Sequence, residues 1–221
     1  MGLNTASLSK SLRITEIFYS LQGESTTVGL PTVFVRLTGC PLRCVYCDTA
    51  YAFIGGTKQS IADVVREVKQ YSTPYVTVTG GEPLAQPDCL VLLNCLLSEG
   101  YTVSLETSGA LDVSQVDNRV IKVMDLKTPG SGELEKNNYG NIAYLTKQDQ
   151  VKFVIADNID YEWSKKILAQ HALTERCEVL FSTMMGYQQP VWLADKILQD
   201  RLPVRFQIQL HKFLWGDAQG K

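Results

Sequence analysis

The sequence has no stretch of low complexity, no internal repeat and no Pro/Gly-rich linker, so nothing in its 221 residues marks a domain boundary. A single domain over residues 14–221 is expected, behind a mobile N-terminal tail of residues 1–13. Charge of one sign is missing too: 21 Lys and Arg stand against 23 Asp and Glu, a formal net charge of -2. That balance excludes a global basic field and gives no reason to expect a nucleic-acid or membrane partner. The first thirteen residues lack the long apolar run of a signal peptide, and Ala6 stands where a myristoylation pattern needs Ser or Thr. The expected compartment is the cytoplasm. Histidine is scarce, with only His171 and His211. A zinc site closed by several imidazoles is therefore excluded.

What is present is a regular alternation. Runs rich in β-branched and aromatic residues at 14–19, 32–38, 75–79, 102–106, 120–126, 151–156, 178–181 and 204–210 read as strands. Helical patterns lie between several of them, at 61–70 after a Ser60 cap, 88–98 after Pro87, 161–171, and 191–199 after Pro190. Alternating strand and helix predict an α/β fold with a mainly parallel sheet. A full eight-fold barrel takes about 250 residues, so a partial (β/α)6-type TIM barrel of about six strands is expected. In such folds chemistry gathers in the loops after the strands. Four of those loops carry the informative residues: Gly39-Cys40, Gly80-Gly81-Glu82-Pro83, Thr107-Ser108-Gly109 and Lys127-Thr128-Pro129-Gly130.

Cys40-Pro41-Leu42-Arg43-Cys44-Val45-Tyr46-Cys47 puts three thiols in eight residues, enough for one loop to wrap a metal centre. Soft thiolates suit zinc or an iron–sulfur cluster. A closed zinc site wants four ligands and no local fourth exists, whereas three thiolates on a cubane leave one iron open for substrate or cofactor. Spacing alone leaves both open. Cys89, Cys95 and Cys177 read as small buried hydrophobes.

The C-x3-C-x-aromatic-C loop resembles the cluster loop of the radical S-adenosylmethionine (SAM) superfamily. The resemblance implies a [4Fe–4S] cluster on Cys40, Cys44 and Cys47 whose open iron chelates SAM, with Tyr46 and neighbouring Asp48 close to the cofactor. Thr79-Gly80-Gly81-Glu82-Pro83 resembles the superfamily's GGEP segment, where the glycines let the backbone approach SAM and the carboxylate, here Glu82, holds its ammonium. Glu106-Thr107-Ser108-Gly109 resembles the ribose-binding segment, and Lys127 resembles a lysine near the SAM carboxylate. Reductive cleavage of SAM to methionine and a 5′-deoxyadenosyl radical is the chemistry that membership implies, with a flavodoxin- or ferredoxin-like electron donor.

Within the superfamily the chain resembles the 7-carboxy-7-deazaguanine synthase family over nearly its whole length. Phe18-Tyr19-Ser20-Leu21-Gln22-Gly23-Glu24 is similar to that family's substrate-binding opening, which implies Leu21, Gln22, Gly23 and Glu24 as pterin contacts, with Thr79 beside them. Arg36 stands where the family binds the substrate carboxylate, a bidentate task suited to a guanidinium. Cys47-Asp48-Thr49 resembles the family's CDT, whose threonine ligates Mg²⁺, and His211 in Gln209-Leu210-His211-Lys212-Phe213 resembles a substrate-pocket histidine on the final strand end. A homodimer is expected with the family. The sequence departs from the pattern at residues 181–185, where many relatives carry Gln-Pro, and in its 216–221 extension. A glycyl-radical activase shares the cluster loop but leaves the LQGE opening, Arg36 and CDT unexplained. A non-catalytic metal-binding module leaves GGEP and ETSG unexplained.

Overall fold

The computed structural model describes residues 8–184 and 189–221. In chain order the elements are β1 (Ser11–Leu21), β2 (Pro31–Leu37), β3 (Thr57–Ser60), α1 (Ile61–Val68), β4 (Tyr75–Gly80), α2 (Cys89–Ser98), β5 (Thr102–Thr107) and β6 (Ile121–Asp125), followed by β7 (Gln150–Ile155), α3 (Asn158–Gln170), α4 (Leu173–Arg176), β8 (Glu178–Thr183), α5 (Pro190–Asp200), β9 (Arg205–Gln207) and α6 (Leu210–Trp215). The strands form one sheet in the order β3-β1-β2-β4-β5-β6-β7-β8-β9. From β2 to β9 every pairing is parallel, while β1 runs antiparallel to both β2 and β3. The sheet is not closed, because β3 and β9 are its two edges. The partial barrel is thus an open nine-stranded sheet, with more strands than the six or so expected.

Alternation along the strands decides what each face does, because successive side chains point to opposite sides. One face is apolar: Val33, Val35 and Leu37 on β2, Val76 and Val78 on β4, Val103 and Leu105 on β5, and Val151, Phe153 and Ile155 on β7 are all at most 1% exposed. This face buries α1 and α2 in one cluster, and α3 and α5 in a second. Each such side chain contributes about 1.5–3 kcal/mol by leaving water. The other face is polar. Register places Phe34 beside Thr77 and Ser104, Arg36 beside Thr79, Glu106 beside Val123, and Asp125 beside Lys152. Parallel strands covered on both faces are ordinarily apolar throughout, so a polar row here marks the lining of an interior cavity.

The helices begin where the sequence supplies caps. Ser60 Oγ accepts the Asp63 amide at 3.1 Å before α1, and Asp157 accepts the Asp160 amide at 2.9 Å before α3. Residues 22–27, after β1, turn into the interior instead of closing a short hairpin. Gln22 donates to Thr77 Oγ1 (3.1 Å), Thr26 N donates to Gln150 Oε1 (3.0 Å), and the Ser25 and Gly23 carbonyls accept from Gln207 Nε2 (3.0 Å) and Leu210 N (2.9 Å). The segment thereby bridges the two halves of the open sheet.

Two expectations are corrected. The run at 204–210 is not one strand: β9 stops at Gln207 and α6 starts at Leu210, so His211 sits in the first turn of a helix. The expected tail ends early, since Ser11, Leu12 and Arg13 pair with Ser60, Gln59 and Lys58 and Leu12 is 1% exposed; residues 1–7 lie outside the described residues, as does Met185 of the departing 181–185 segment. Among the described residues no helix is long and apolar enough to cross a membrane.

Candidate active site

A cavity of about 740 Å³ opens at the carboxyl ends of the parallel strands. Of the predicted site residues, all line it except Glu82. The cysteine loop forms one wall. It is held by backbone hydrogen bonds: Gly39 N to Ala52 O (2.8 Å), Glu82 N to Gly39 O (2.8 Å) and Val45 N to Ser131 O (3.0 Å). The glycines after β4 are needed for this contact between loops, because a Cβ on Gly81 would stand 2.2 Å from the Gly39 carbonyl oxygen. Cys40, Cys44 and Cys47 are free and half-buried. Burial pushes the Cys40 and Cys44 thiols up, so binding a metal there releases protons. The Leu42 amide points at Cys40 Sγ, 3.4 Å away.

The donor set fits a cluster. Among the described residues no three His, Cys, Asp or Glu side chains close on a single ion. A cubane does not require that, since each thiolate ligates a different iron. Two further atoms in this wall are unsatisfied: the Tyr46 hydroxyl and Asp125 Oδ1 are buried with no hydrogen-bond partner among the described residues. Burial, then the Asp125 charge, pushes the Tyr46 hydroxyl up to about 12. It stays a neutral donor.

Glu82 is the exception. It is fully buried, and its carboxylate accepts Leu84 N (3.0 Å), Thr107 Oγ1 (2.9 Å), Ser108 N (2.7 Å) and Ser108 Oγ (2.5 Å). Those bonds use the acceptor capacity of both oxygens. In this structure Glu82 ties the loop after β4 to the loop after β5, and holds Ser108 at the cavity wall. Lys127 is fixed by its backbone, whose amide donates to Asn137 Oδ1 and whose carbonyl accepts from Asn137 Nδ2, both at 2.8 Å.

A ladder of charges runs from this wall across to the opposite one. Glu24 meets Lys152 at 2.5 Å and accepts from Gln209 Nε2 at 2.8 Å; Lys152 reaches Asp125 at 3.5 Å, and Lys127 reaches the same carboxylate at 3.2 Å. Burial works to lower the Lys152 amine, and Glu24 and Asp125 more than reverse it, holding it well above the usual lysine range. Glu106 accepts from Thr79 Oγ1 at 2.8 Å and from Gln22 Nε2 at 3.4 Å. Burial, then the Glu24 charge, pushes the Glu106 carboxyl up. Arg36 joins the opposite wall, its Nε on Glu16 Oε1 at 2.7 Å and its guanidinium beside the rings of Phe18 and Tyr51 at 5.6 and 5.9 Å.

At the mouth, Thr49 Oγ1 donates to Asp48 Oδ1 at 2.8 Å. Desolvation pushes the Asp48 carboxyl up, but that hydroxyl and the cations Lys152 and Lys212 outweigh it and hold it below the usual range. The Thr49 hydroxyl spends its proton on Asp48, which leaves its lone pairs for a hard cation. His211 closes over Gly23 so tightly that a Cβ there would lie 2.1 Å from its Nδ1. Gly216, Asp217 and Lys221 of the C-terminal extension also line the mouth.

Sequence reasoning missed Asp125, Lys152, Gln209, Glu16 and Tyr51. The signal for Lys152 was the period-2 pattern of β7: Gln150, Lys152 and Val154 alternate with the buried Val151, Phe153 and Ile155.

The sequence matches the Radical SAM superfamily over residues 34–125, which span β2 to β6 and the cysteine loop. The 7-carboxy-7-deazaguanine synthase of Chlorobaculum tepidum is 44% identical, with 95% of this chain and 97% of that protein covered. The enzyme of the same name from Koribacter versatilis is 41% identical over 92% of this chain and 97% of its own. The crystal structure of QueE from Escherichia coli has the same fold, with a TM-score of 0.75 at 21% identity, covering 91% of this chain and 95% of that one. Identity of this order over nearly the full length, with the three thiols on one cavity wall, means that the chain belongs to the 7-carboxy-7-deazaguanine synthase family, lyases of the radical SAM superfamily that use a [4Fe–4S] cluster and SAM.

Proposed function

We propose that this chain converts 6-carboxy-5,6,7,8-tetrahydropterin into 7-carboxy-7-deazaguanine and ammonia, a Mg²⁺-dependent ring contraction on the route to queuosine and other 7-deazapurines. The observation that carries this reading is the single cavity with a thiol loop on one wall and Arg36, Glu24 and Lys152 on the other. When bound, the cluster and SAM would supply a radical able to remove the hydrogen atom from C6 of the substrate, the carbon that bears the carboxylate. The chain's own residues divide the remaining work.

Cys40, Cys44 and Cys47 hold the cluster. Tyr46, Asp48, Gly80, Gly81, Glu106, Ser108 and Lys127 surround the cofactor, with Glu82 acting through Ser108. Leu21, Gln22, Gly23, Glu24, Thr79 and His211 surround the pterin, and Arg36 takes its carboxylate. The two sets meet at Glu106, which is bonded to Thr79 and Gln22. Thr49 would hold Mg²⁺ through its hydroxyl oxygen, and the ion would supply a hard positive charge for the substrate oxygens. A flavodoxin- or ferredoxin-like protein supplies the electron, and the working form is a cytoplasmic homodimer with no nucleic-acid or membrane partner.

Anaerobic incubation of reconstituted protein with SAM, reductant and the pterin, with and without Mg²⁺, tests the proposal. The expected result is 7-carboxy-7-deazaguanine, formed faster with Mg²⁺ and with ammonia released in equal amount. Cleavage of SAM with the pterin returned unchanged refutes the substrate. Equal rates after complete chelation, or an unaltered Mg²⁺ response in Thr49→Ala, refute the metal site.

A further inference from the structure

Arg36 is held from behind. Its Nε donates to Glu16 Oε1 at 2.7 Å, and the same oxygen accepts the Tyr51 hydroxyl at 2.7 Å. Arg36 and Phe18 line the cavity, whereas Glu16 and Tyr51 do not. The rings of Phe18 and Tyr51 confine the guanidinium, with centroids 5.6 and 5.9 Å from its carbon. Among the described residues nothing accepts a hydrogen bond from either Nη atom, although the Arg36 side chain is only 16% exposed. A buried guanidinium normally satisfies most of its five donors. This one spends Nε and keeps the outer edge, the two Nη groups that take a carboxylate end-on, free.

We infer that Glu16 and Tyr51 are positioning residues for substrate recognition: together they fix the plane of Arg36 so that its two Nη groups face the cavity as a ready-made fork for the substrate carboxylate. The inference rests on the assignment of Arg36 as that carboxylate's partner. Glu16 acts in two opposed ways. Its negative charge beside Arg36 weakens the pull on an anion, while its hydrogen bond removes the freedom the long side chain would otherwise lose on binding. In a half-buried site that already confines the guanidinium between two rings, geometry outweighs charge if the positioning role is right. The two effects separate by substitution, because Gln keeps an acceptor oxygen for Nε and Tyr51 but no charge, and Ala keeps neither.

The test measures anaerobic affinity for two ligands on holoenzyme with SAM bound: the 6-carboxy-tetrahydropterin, and a 6-methyl-tetrahydropterin that lacks the carboxylate. Cluster content and uncoupled SAM cleavage are recorded on the same preparations. Glu16→Ala is expected to weaken the carboxy ligand about ten-fold, the loss of one hydrogen bond to a charged group, and to leave the methyl ligand and SAM cleavage unchanged. Glu16→Gln should restore wild-type affinity or better, and Tyr51→Phe should fall between. Equal behaviour of Gln and Ala, tighter binding in Glu16→Ala, or an equal loss for both ligands overturns the positioning role. Arg36→Ala separates the two levels of inference. If it abolishes the preference for the carboxy ligand while Glu16→Ala leaves that preference undiminished, positioning alone fails. If it keeps the preference, the assignment of Arg36 fails, and the inference with it.

Discussion

Glu106 sits within the same interior as Glu24, and two donors, Thr79 and Gln22, do not fully offset its burial. Because the folded-state pKa lies above the ordinary glutamate value, the folded protein holds this proton more tightly. The resulting stabilisation is complete below the ordinary value and is lost as pH rises through the folded-state one. At neutral pH this buried carboxyl is therefore a liability to the ligand-free fold. Glu106→Gln is expected to raise stability against urea at pH 7 and to lose that advantage below about pH 4, with denaturation midpoints across pH as the measurement. Lys152 is the opposite case. It is the shared cation of Glu24 and Asp125, with its side chain 14% exposed, so Lys152→Met takes the cation from largely buried Glu24 and leaves Asp125 with Lys127. The expected cost is about 3–5 kcal/mol, partly recovered by adding Glu24→Gln. An unmoved urea midpoint in Lys152→Met refutes it. The alternation along β7 puts this lysine on the face away from the helices, but a lysine in a strand ordinarily faces solvent. Its role follows only from knowing which face of the sheet encloses the cavity.

Elements with a strong pattern were legible in the sequence. The strands β1, β2 and β4 to β8 carry β-branched runs, and α1, α2, α3 and α5 carry caps or a leading proline, so each lies within a few residues of its expected span. β3 was not legible, because Thr57, Lys58, Gln59 and Ser60 show no apolar alternation, and this edge strand is held only by its ladder with β1. α6 was not legible either, because Leu210-His211-Lys212-Phe213-Leu214-Trp215 reads equally as the end of a strand, and Gly216 at positive φ stops the helix after six residues. The motif loops, in contrast, carried their position with them: cysteines and glycines at strand ends fall at one end of a parallel sheet wherever the exact boundaries lie. One device between elements makes a separate prediction. Fully buried Asp160, in the first turn of α3, accepts Gly130 N at 2.7 Å and Ala156 N at 3.0 Å, and so anchors the loop that carries Lys127. Asp160→Ala leaves both amides without partners, a loss of about 2–3 kcal/mol. Calorimetry should show the drop in melting temperature, and equilibrium binding should show weaker SAM affinity at constant cluster content.

At the scale of the molecule, the thiol loop is carried by the fold and not the reverse. Its backbone is tied to Ala52, Glu82 and Ser131 irrespective of what the sulfurs bind. Replacing Cys40, Cys44 and Cys47 with Ala is therefore expected to abolish bound iron and sulfide while leaving the metal-free protein's melting temperature unchanged; a metal-free triple variant that melts well below metal-free wild type would contradict this. The other half of the site is built differently. The cofactor wall draws on neighbouring strand ends between β2 and β6, but the bridge at residues 22–27 finds Gln207, Gln209 and Leu210 across more than 180 positions of chain, and Gln209 and Glu24 are 185 apart. That separation sets an order of birth on the ribosome. The parts that surround the cofactor can come together once the segment around Lys127 has emerged. The substrate wall waits for β9 and α6, on the order of ten seconds later at ordinary elongation rates. A half-made chain can thus acquire the means to hold its reactive cofactor before it has anything to aim it at, and the later emergence of α6 completes the aim.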